Sequence, residues 1–246
     1  MPKVIGINAV LEALRAREPL DKIYVLSTKS DPVIGKIIGQ ARSQGIQVVQ
    51  ADRQRMTKLA EDKRHQGVIA LVPPISYVPL ETLVENVQKT GENPALLILD
   101  RINDPQNFGA IIRSAEVLGI HGIIFSLRES VPVTDQVIKA SSGAVFHLPI
   151  AKVTNLAASI DYLKKCGIWI YCSSSHNKKS IWDIDFTEPV AIIIGSEGQG
   201  VRPLLLKKSD DIFNIPQKGK TDSLNASVAA GIIINELVRQ RNIPGT

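Results

Sequence analysis

Apolar positions along this chain switch repeatedly between helical and strand spacing. In residues 6–15, Val10, Leu11 and Leu14 share one helical face. Strand spacing follows at Lys22–Leu26, 46–49 and 68–72, with helical spacing at 33–43 and 53–61 between. This predicts a small α/β domain over residues 1–74. Pro73-Pro74 ends the pattern, and 75–93, with a short helix over 80–88, reads as a linker. From residue 94 the alternation resumes on a larger scale. A strand at 95–99 precedes a polar loop and a helix at 108–118, whose Ile111, Ile112, Ala115 and Leu118 form the buried side. Gly119 stands where a helix-ending glycine belongs. Further strands are expected at 122–125, 147–150, 168–172 and 190–194, with a small-residue turn at 137–144 and a helix at 155–165. The expected architecture is α/β throughout: a second domain over 94–246 with five or six mostly parallel strands.

Residues 190–237 look like the organising stretch. The β-branched run 190–194 ends in Gly195-Ser196-Glu197-Gly198-Gln199-Gly200, a loop able to bring bare backbone close to a ligand. A second short run, 212–216, ends in another loop. Asp222 or Ser223 can then cap a helix opening on Leu224-Asn225-Ala226-Ser227, rich in small residues. Two strand-to-loop junctions of this kind point to a cleft at the carboxyl ends of parallel strands.

Composition changes this picture in one respect. The chain has 246 residues, 44% of them hydrophobic, enough for a real core. Residues 1–74 hold 12 Lys+Arg against 7 Asp+Glu, whereas 75–246 hold 17 of each, so the whole net charge of +5 lies in the first third. Arg53, Arg55, Lys58, Lys63 and Arg64 are its densest patch. Such asymmetry points to a nucleic-acid partner met through backbone phosphates, since Tyr24 is the one aromatic residue there. No apolar run approaches the ~20 residues of a membrane span, and no signal-peptide pattern opens the chain. Cys166 and Cys172 do not form a CxxC pair, and His65, His121, His147 and His176 lack metal-ligand spacing. A reduced, cytoplasmic protein without a metal is expected.

The glycines of 195–200 are spaced GxxGxG, not the GxGxxG of dinucleotide-binding loops, and the charge of Glu197 opposes a pyrophosphate. A glutamate there suits a ligand with hydroxyls or positive charge. In isolation, Asn107 reads as a helix N-cap and Arg113 as a surface partner of Glu116. Three segments in order, DPQNFGAIIRSAE, IIIGSEGQG and IPQKGKTDSLNASVAAGI, alter that reading. They resemble the three motifs of the SpoU family of RNA ribose 2′-O-methyltransferases, within the SPOUT superfamily. The N-terminal third, with Gly6-Ile7-Asn8-Ala9-Val10 and His65-Gln66-Gly67-Val68, resembles the substrate-binding domain often found in front of this family.

The resemblance implies S-adenosylmethionine as cofactor and a ribose 2′-hydroxyl of RNA as acceptor, on a guanosine of 23S rRNA. Methylation of tRNA, or a non-catalytic RNA-binding role in ribosome assembly, are its alternatives. It implies a parallel sheet whose C-terminal segment threads a trefoil knot, and a homodimer packed through that region. The small residues 226–231 suit such packing, and an intrachain helix contact explains them equally. Carried over residue by residue, Asn107, Arg113, Glu197, Ser223, Asn225 and Ser227 match the catalytic motifs, and Gly195, Ile215 and Leu224 the cofactor wall. An arginine is protonated at all ordinary pH values, so phosphate binding and charge stabilisation suit Arg113 better than a base role.

Overall fold

The computed structural model describes residues 3–18, 20–27, 31–61, 65–72, 75–175, 177–219 and 223–242. Of the positions singled out above, Lys63, Arg64, Pro73, Pro74, His176 and Asp222 lie outside the described residues. The chain forms two compact units: Met1–Ser76 with Val133–His147, and Tyr77–Pro132 with Leu148–Thr246.

The first unit runs β1 (Lys3–Ile5), α1 (Ile7–Arg15), β2 (Lys22–Leu26), α2 (Pro32–Ser43), β3 (Gln47–Ala51), α3 (Arg53–Ala60) and β4 (Val68–Leu71). The sheet order is β1-β4-β2-β3, with only β2 and β3 parallel. Helix starts follow from local chemistry. Asp31 and Asp52 accept the backbone N–H of Val33 (2.9 Å) and Arg55 (2.8 Å). Gly6 has no side chain to cap α1, and Oε1 of Gln66 takes the Ile7 N–H instead, at 2.9 Å. The two N-terminal segments that carry the resemblance therefore meet at one helix start. Arg55 lies 5.3 Å over the Tyr24 ring, a cation–π contact.

The second unit begins with α4 (Leu80–Thr90), within the segment read as a linker. Leu80, Leu83, Val84 and Val87 recur at helical spacing and are buried in its core. Burial of such side chains is worth ~1.5–3 kcal/mol each, which makes α4 part of the domain rather than a tether. There follow β5 (Ala95–Asp100), α5 (Pro105–Val117), β6 (Gly122–Ser126), β7 (Ile150–Val153), α7 (Leu156–Lys165), β8 (Trp169–Ser173), β9 (Val190–Gly195), α8 (Pro203–Lys208), β10 (Asp211–Phe213) and α9 (Ala226–Arg241), while α6 (Asp135–Ala140), between β6 and β7, belongs to the first unit. The six strands are all parallel, in the order β10-β8-β9-β5-β6-β7. Strands β5 and β9 are central and covered on both faces, which explains their unbroken apolar runs. The winding direction reverses between them, so their carboxyl ends border a crevice. At the other end, Arg241 of α9 donates to the carbonyls of Asn93, Pro94, Phe186 and Glu188, tying the last helix to the starts of β5 and β9.

Residues 133–147 differ most from expectation. The span read as a small-residue turn before a strand at 147–150 holds α6 and a 3-10 turn, Ala144–Phe146, and the strand begins only at Ile150. Thr134 caps α6, and Val137, Ile138, Ala144 and Val145 are buried. The segment packs within the first unit. Asp135 accepts the Lys3 N–H at 2.8 Å, and His147 meets Glu12 at 3.1 Å. Gly143 has φ 90°, and a side chain there would strike Cβ of Glu12 at 2.5 Å. Backbone closeness thus explains a glycine that read as turn chemistry.

Candidate active site

The paired register of β5 and β9 sets Asp100 beside Gly195 at the carboxyl edge of the sheet. Two loops leave from there. The first leads into α5, whose N-cap is Asp104, accepting the N–H of Gln106 (3.1 Å) and Asn107 (3.2 Å). Asn107 is therefore not the cap expected from sequence. It sits in the first turn of the helix with its side chain free for other work.

The second loop, Gly195 to Gly200, folds back on itself: the Gly200 N–H donates to the Ser196 carbonyl at 3.0 Å. A Cβ on Gly195 would lie 2.5 Å from the Gly200 carbonyl oxygen and 2.5 Å from the Val201 nitrogen. The loop's own closure demands a glycine here. Glu197 stands at its exposed tip.

The third contributor is the start of α9. Its N-cap is Asn225, in place of the expected Asp222 or Ser223. The Asn225 Oδ1 accepts from the N–H of Ser227 (2.9 Å) and Val228 (3.3 Å) and from the Ser227 hydroxyl (2.6 Å). Its Nδ2 donates to Oε1 of Glu197 (2.5 Å) and to Oδ1 of Asn107 (2.8 Å). Asn107 Nδ2 donates to the same Glu197 oxygen at 2.8 Å, and the Ala226 N–H adds a fourth bond at 3.1 Å. Residues 107, 197 and 225, remote in sequence, close a hydrogen-bonded triangle. Three donors converge on Oε1 of Glu197, which fixes the carboxylate and leaves Oε2 without a partner among the described residues.

The other expected site residues stand outside this triangle. Ser227 touches it through Asn225 alone. Ser223 is exposed and precedes the helix, while Ile215 and Leu224 are half-buried in the loops flanking β10 and α9. Arg113 lies six residues beyond Asn107 on α5, about 9 Å along the axis. It is exposed and forms no hydrogen bond or ion pair with any described residue, so the surface pair with Glu116 is not made.

Next to the Glu197 loop lies an ionic cluster whose Asp100 and Arg101 the sequence placed in a polar loop. Asp100 is fully buried and accepts the Arg202 N–H at 2.9 Å, with the Arg202 guanidinium 2.8 Å away. Arg202 also pairs with Glu129. Arg101 donates to Oε1 of Gln199 (2.7 Å) and to the Gly200 carbonyl (3.1 Å). Arg101 thus grips the end of the Glu197 loop, and Arg202 anchors the chain just beyond it to Asp100. The available signal was an aspartate closing an apolar strand, since a buried charge requires a partner.

Comparison with known proteins adds the following. Residues 94–235 match the SpoU rRNA Methylase family, and residues 3–78 match the family of RNA 2'-O ribose methyltransferase substrate binding. A Bacillus subtilis (strain 168) protein named as a TrmH family tRNA/rRNA methyltransferase, YacO, is 38% identical over 242 residues, which is 98% of this chain and 97% of that protein. The SpoU methyltransferase AviRb of Streptomyces viridochromogenes, solved in complex with AdoMet, superposes with a TM-score of 0.83 at 24% identity, over 97% of this chain and 90% of that one. An AdoMet-bound rRNA methyltransferase of Sinorhizobium meliloti gives 0.82 at 25% identity, over 97% and 87%. Among the described residues no helix is long and apolar enough to cross a membrane, and no group of three or more His, Cys, Asp or Glu could hold a metal.

Proposed function

This chain belongs to the SpoU rRNA methylase family, and from that premise we propose that it transfers a methyl group from S-adenosylmethionine to a ribose 2′-hydroxyl of RNA. The observation that carries the reading is the triangle of Asn107, Glu197 and Asn225 at the carboxyl ends of β5 and β9. Three motifs that matched the family in sequence supply its three corners.

The donor set suits the proposed cofactor. The free oxygen of Glu197 can accept from ribose hydroxyls or lie near a sulfonium, and it disfavours a pyrophosphate. Ile215 and Leu224 offer half-buried apolar side chains for an enclosing wall, and Gly195 offers backbone. When bound, S-adenosylmethionine supplies an electrophilic methyl group. The chain's part is alignment, since in-line displacement requires oxygen, carbon and sulfur on one axis. Asn107 and Asn225 hold Glu197, Ser227 braces Asn225, and Ser223 is free to orient the ribose. Arg113, always charged and without a partner among the described residues, binds the adjacent phosphate and offsets charge on the 2′-oxygen as its proton leaves.

For the substrate we favour a guanosine of 23S rRNA, with tRNA the second choice. The basic first unit supports an RNA partner of either kind. We also read the protein as a homodimer with a knotted C-terminal segment, in the cytoplasm. Exposed Val117 on α5 and Val228 and Ile232 on α9, two helices that pack together, support a face for a second copy. Replacing Val228 with Lys should lower the mass measured by light scattering to that of a monomer; an unchanged mass removes this face. We assign RNA binding to the unit of residues 1–76 with 133–147, and methyl transfer to the unit of 77–132 with 148–246. Calorimetry tests the cofactor: S-adenosylmethionine or its demethylated product should bind and NAD should not. Tight NAD binding overturns the reading.

A further inference from the structure

A cavity of about 350 Å³ opens at the carboxyl ends of β5 and β6, lined by Arg101, Asn103, Leu127, Arg128, Glu129 and Ser130 among others. It adjoins the Glu197 loop, because Arg101, one of its walls, also grips Gln199 and Gly200. Its size falls in the lower part of the range of small-ligand pockets, about 300–1,000 Å³. None of the residues that distinguish it belongs to the triangle.

Two features show that it is more than a surface hollow. The Ser130 side chain is buried, the residue only 7% exposed, yet its hydroxyl has no hydrogen-bond partner among the described residues. The hydroxyl of Ser126, at the end of β6 and outside the cavity lining, is likewise buried and unpartnered among the described residues. Orphaned buried hydroxyls are rare in folded proteins and call for a partner such as a bound water or ligand. The second feature is charge. Asp100 and Glu129 are each engaged by Arg202, and Arg101 lies 3.9 Å from Asp100. Three arginines face two carboxylates, and the excess positive charge falls on Arg128, which is exposed and has no partner among the described residues. Glu129 lines the cavity, but its ion pair with Arg202 blunts its repulsion of an anion.

A guanidinium, a hydroxyl and the Asn103 amide around one opening are donors suited to a phosphate, and Arg is the side chain that binds phosphate as a fork. Exposed Leu127 adds an apolar edge for a sugar or base. We propose that this cavity binds a phosphodiester of the RNA strand next to the nucleotide being methylated, through Arg128, Ser130 and Asn103. The proposal rests on the reading of the protein as an RNA methyltransferase. It extends that reading to a contact that positions the strand without touching the reacting atoms.

The test combines kinetics with equilibrium binding to the same RNA across a salt series. For Arg128→Ala, KM for RNA should rise about ten-fold, as expected for loss of a charged hydrogen bond. Its kcat should stay within about two-fold, and calorimetric affinity for S-adenosylmethionine should not change. The slope of log affinity against log salt should fall by about 0.7, one phosphate contact on a single strand. Arg128→Lys should recover the slope but only part of the KM. Ser130→Ala should give a smaller rise in KM with no change in slope. An active Arg128→Ala enzyme with wild-type KM and slope overturns the proposal and leaves the hydroxyls to bound water. Should the wild-type protein methylate no RNA, the enzymatic reading fails separately. The salt slopes then still decide the phosphate contact, because they need no turnover.

Discussion

Asn225 does two jobs with opposite ends of one amide, and substitution can separate them. Its Oδ1 caps α9 and its Nδ2 holds Glu197 and Asn107. Ser is as good an N-cap as Asn, whereas Ala forfeits about 1 kcal/mol. For a domain of this size 1 kcal/mol moves Tm by about 2–4 °C. Asn225→Ala should therefore lose about that much in thermal melts, and Asn225→Ser much less. Both variants lose the donor to the carboxylate. A hydrogen bond to a charged group is worth about 1.5–3 kcal/mol, and Glu197 is exposed, which favours the lower end. That range corresponds to roughly a 10- to 150-fold loss in kcat/KM, and the two variants should share it despite their different stabilities. Asn225→Asp keeps the cap but sets a second carboxylate against Glu197, a repulsion of about 1 kcal/mol in water and about 4 kcal/mol in a less polar setting at 4 Å. It should be the least active of the three. The assay is transfer of labelled methyl to RNA beside melting curves for each variant. An Asn225→Ser protein with wild-type kcat/KM would refute the reasoning, since Asn225 would then be a helix cap and no more.

Other expectations follow from the same geometry. Arg113→Ala should nearly abolish methyl transfer and Arg113→Lys recover little, with folding and cofactor affinity intact and Glu116→Ala mild; turnover on the RNA substrate decides, and a nearly active Arg113→Ala protein leaves the residue as ordinary surface. Neutralising Arg53, Arg55 and Lys58 together should lower the salt slope of single-stranded RNA binding by about 2, at ~0.7 per phosphate contact, with cofactor binding spared; an unchanged slope places the RNA elsewhere. Hydrogen bonds from the Arg239 guanidinium hold the Glu236 carboxyl below the usual carboxylate range. A lowered folded-state value stabilises the protein above the ordinary carboxylate pKa, and the gain is lost as pH falls through the lowered value. The Tm gap between wild type and Glu236→Gln should thus close on acidification, and a gap constant with pH would count against the pairing.

How far the sequence carried differs by element. The central strands were legible because parallel strands covered on both faces need unbroken apolar runs, as in 95–99 and 190–194. Helices α2 and α3 were legible from periodicity alone; Asp31 and Asp52, which cap them, supply the local reason they start where they do. Strand β1 was not, because three residues are too few to show a period. Helix α4 showed its apolar face, yet flanking prolines and glycines made it read as a connector; only packing reveals which domain claims Leu83 and Val84. Segment 133–147 was misread because small residues in a close contact look like those in a turn. At the site, local pattern misplaced both caps. Asn107 read as a cap but Asp104 fills that place, and the helix expected to start from Asp222 or Ser223 is capped by Asn225. That Asn107 and Asn225 meet over Glu197 is a property of tertiary register, set by Asp100 beside Gly195, which no local pattern contains. The motif resemblance named these residues, and the fold supplies the physical reason they belong together.

The central claim is methyl transfer to a ribose 2′-oxygen, and the chemistry of RNA cleavage tests it directly. Alkali cuts RNA through attack of the 2′-hydroxyl on its own phosphate, which a 2′-O-methyl group blocks. The full-length protein should be incubated with labelled S-adenosylmethionine and separate unmodified rRNA and tRNA pools, and the labelled RNA then hydrolysed in alkali. The account predicts label in one pool, carried by an alkali-resistant dinucleotide and absent with Arg113→Ala. Label released on mononucleotides would mean methylation of a base, and would contradict the claim.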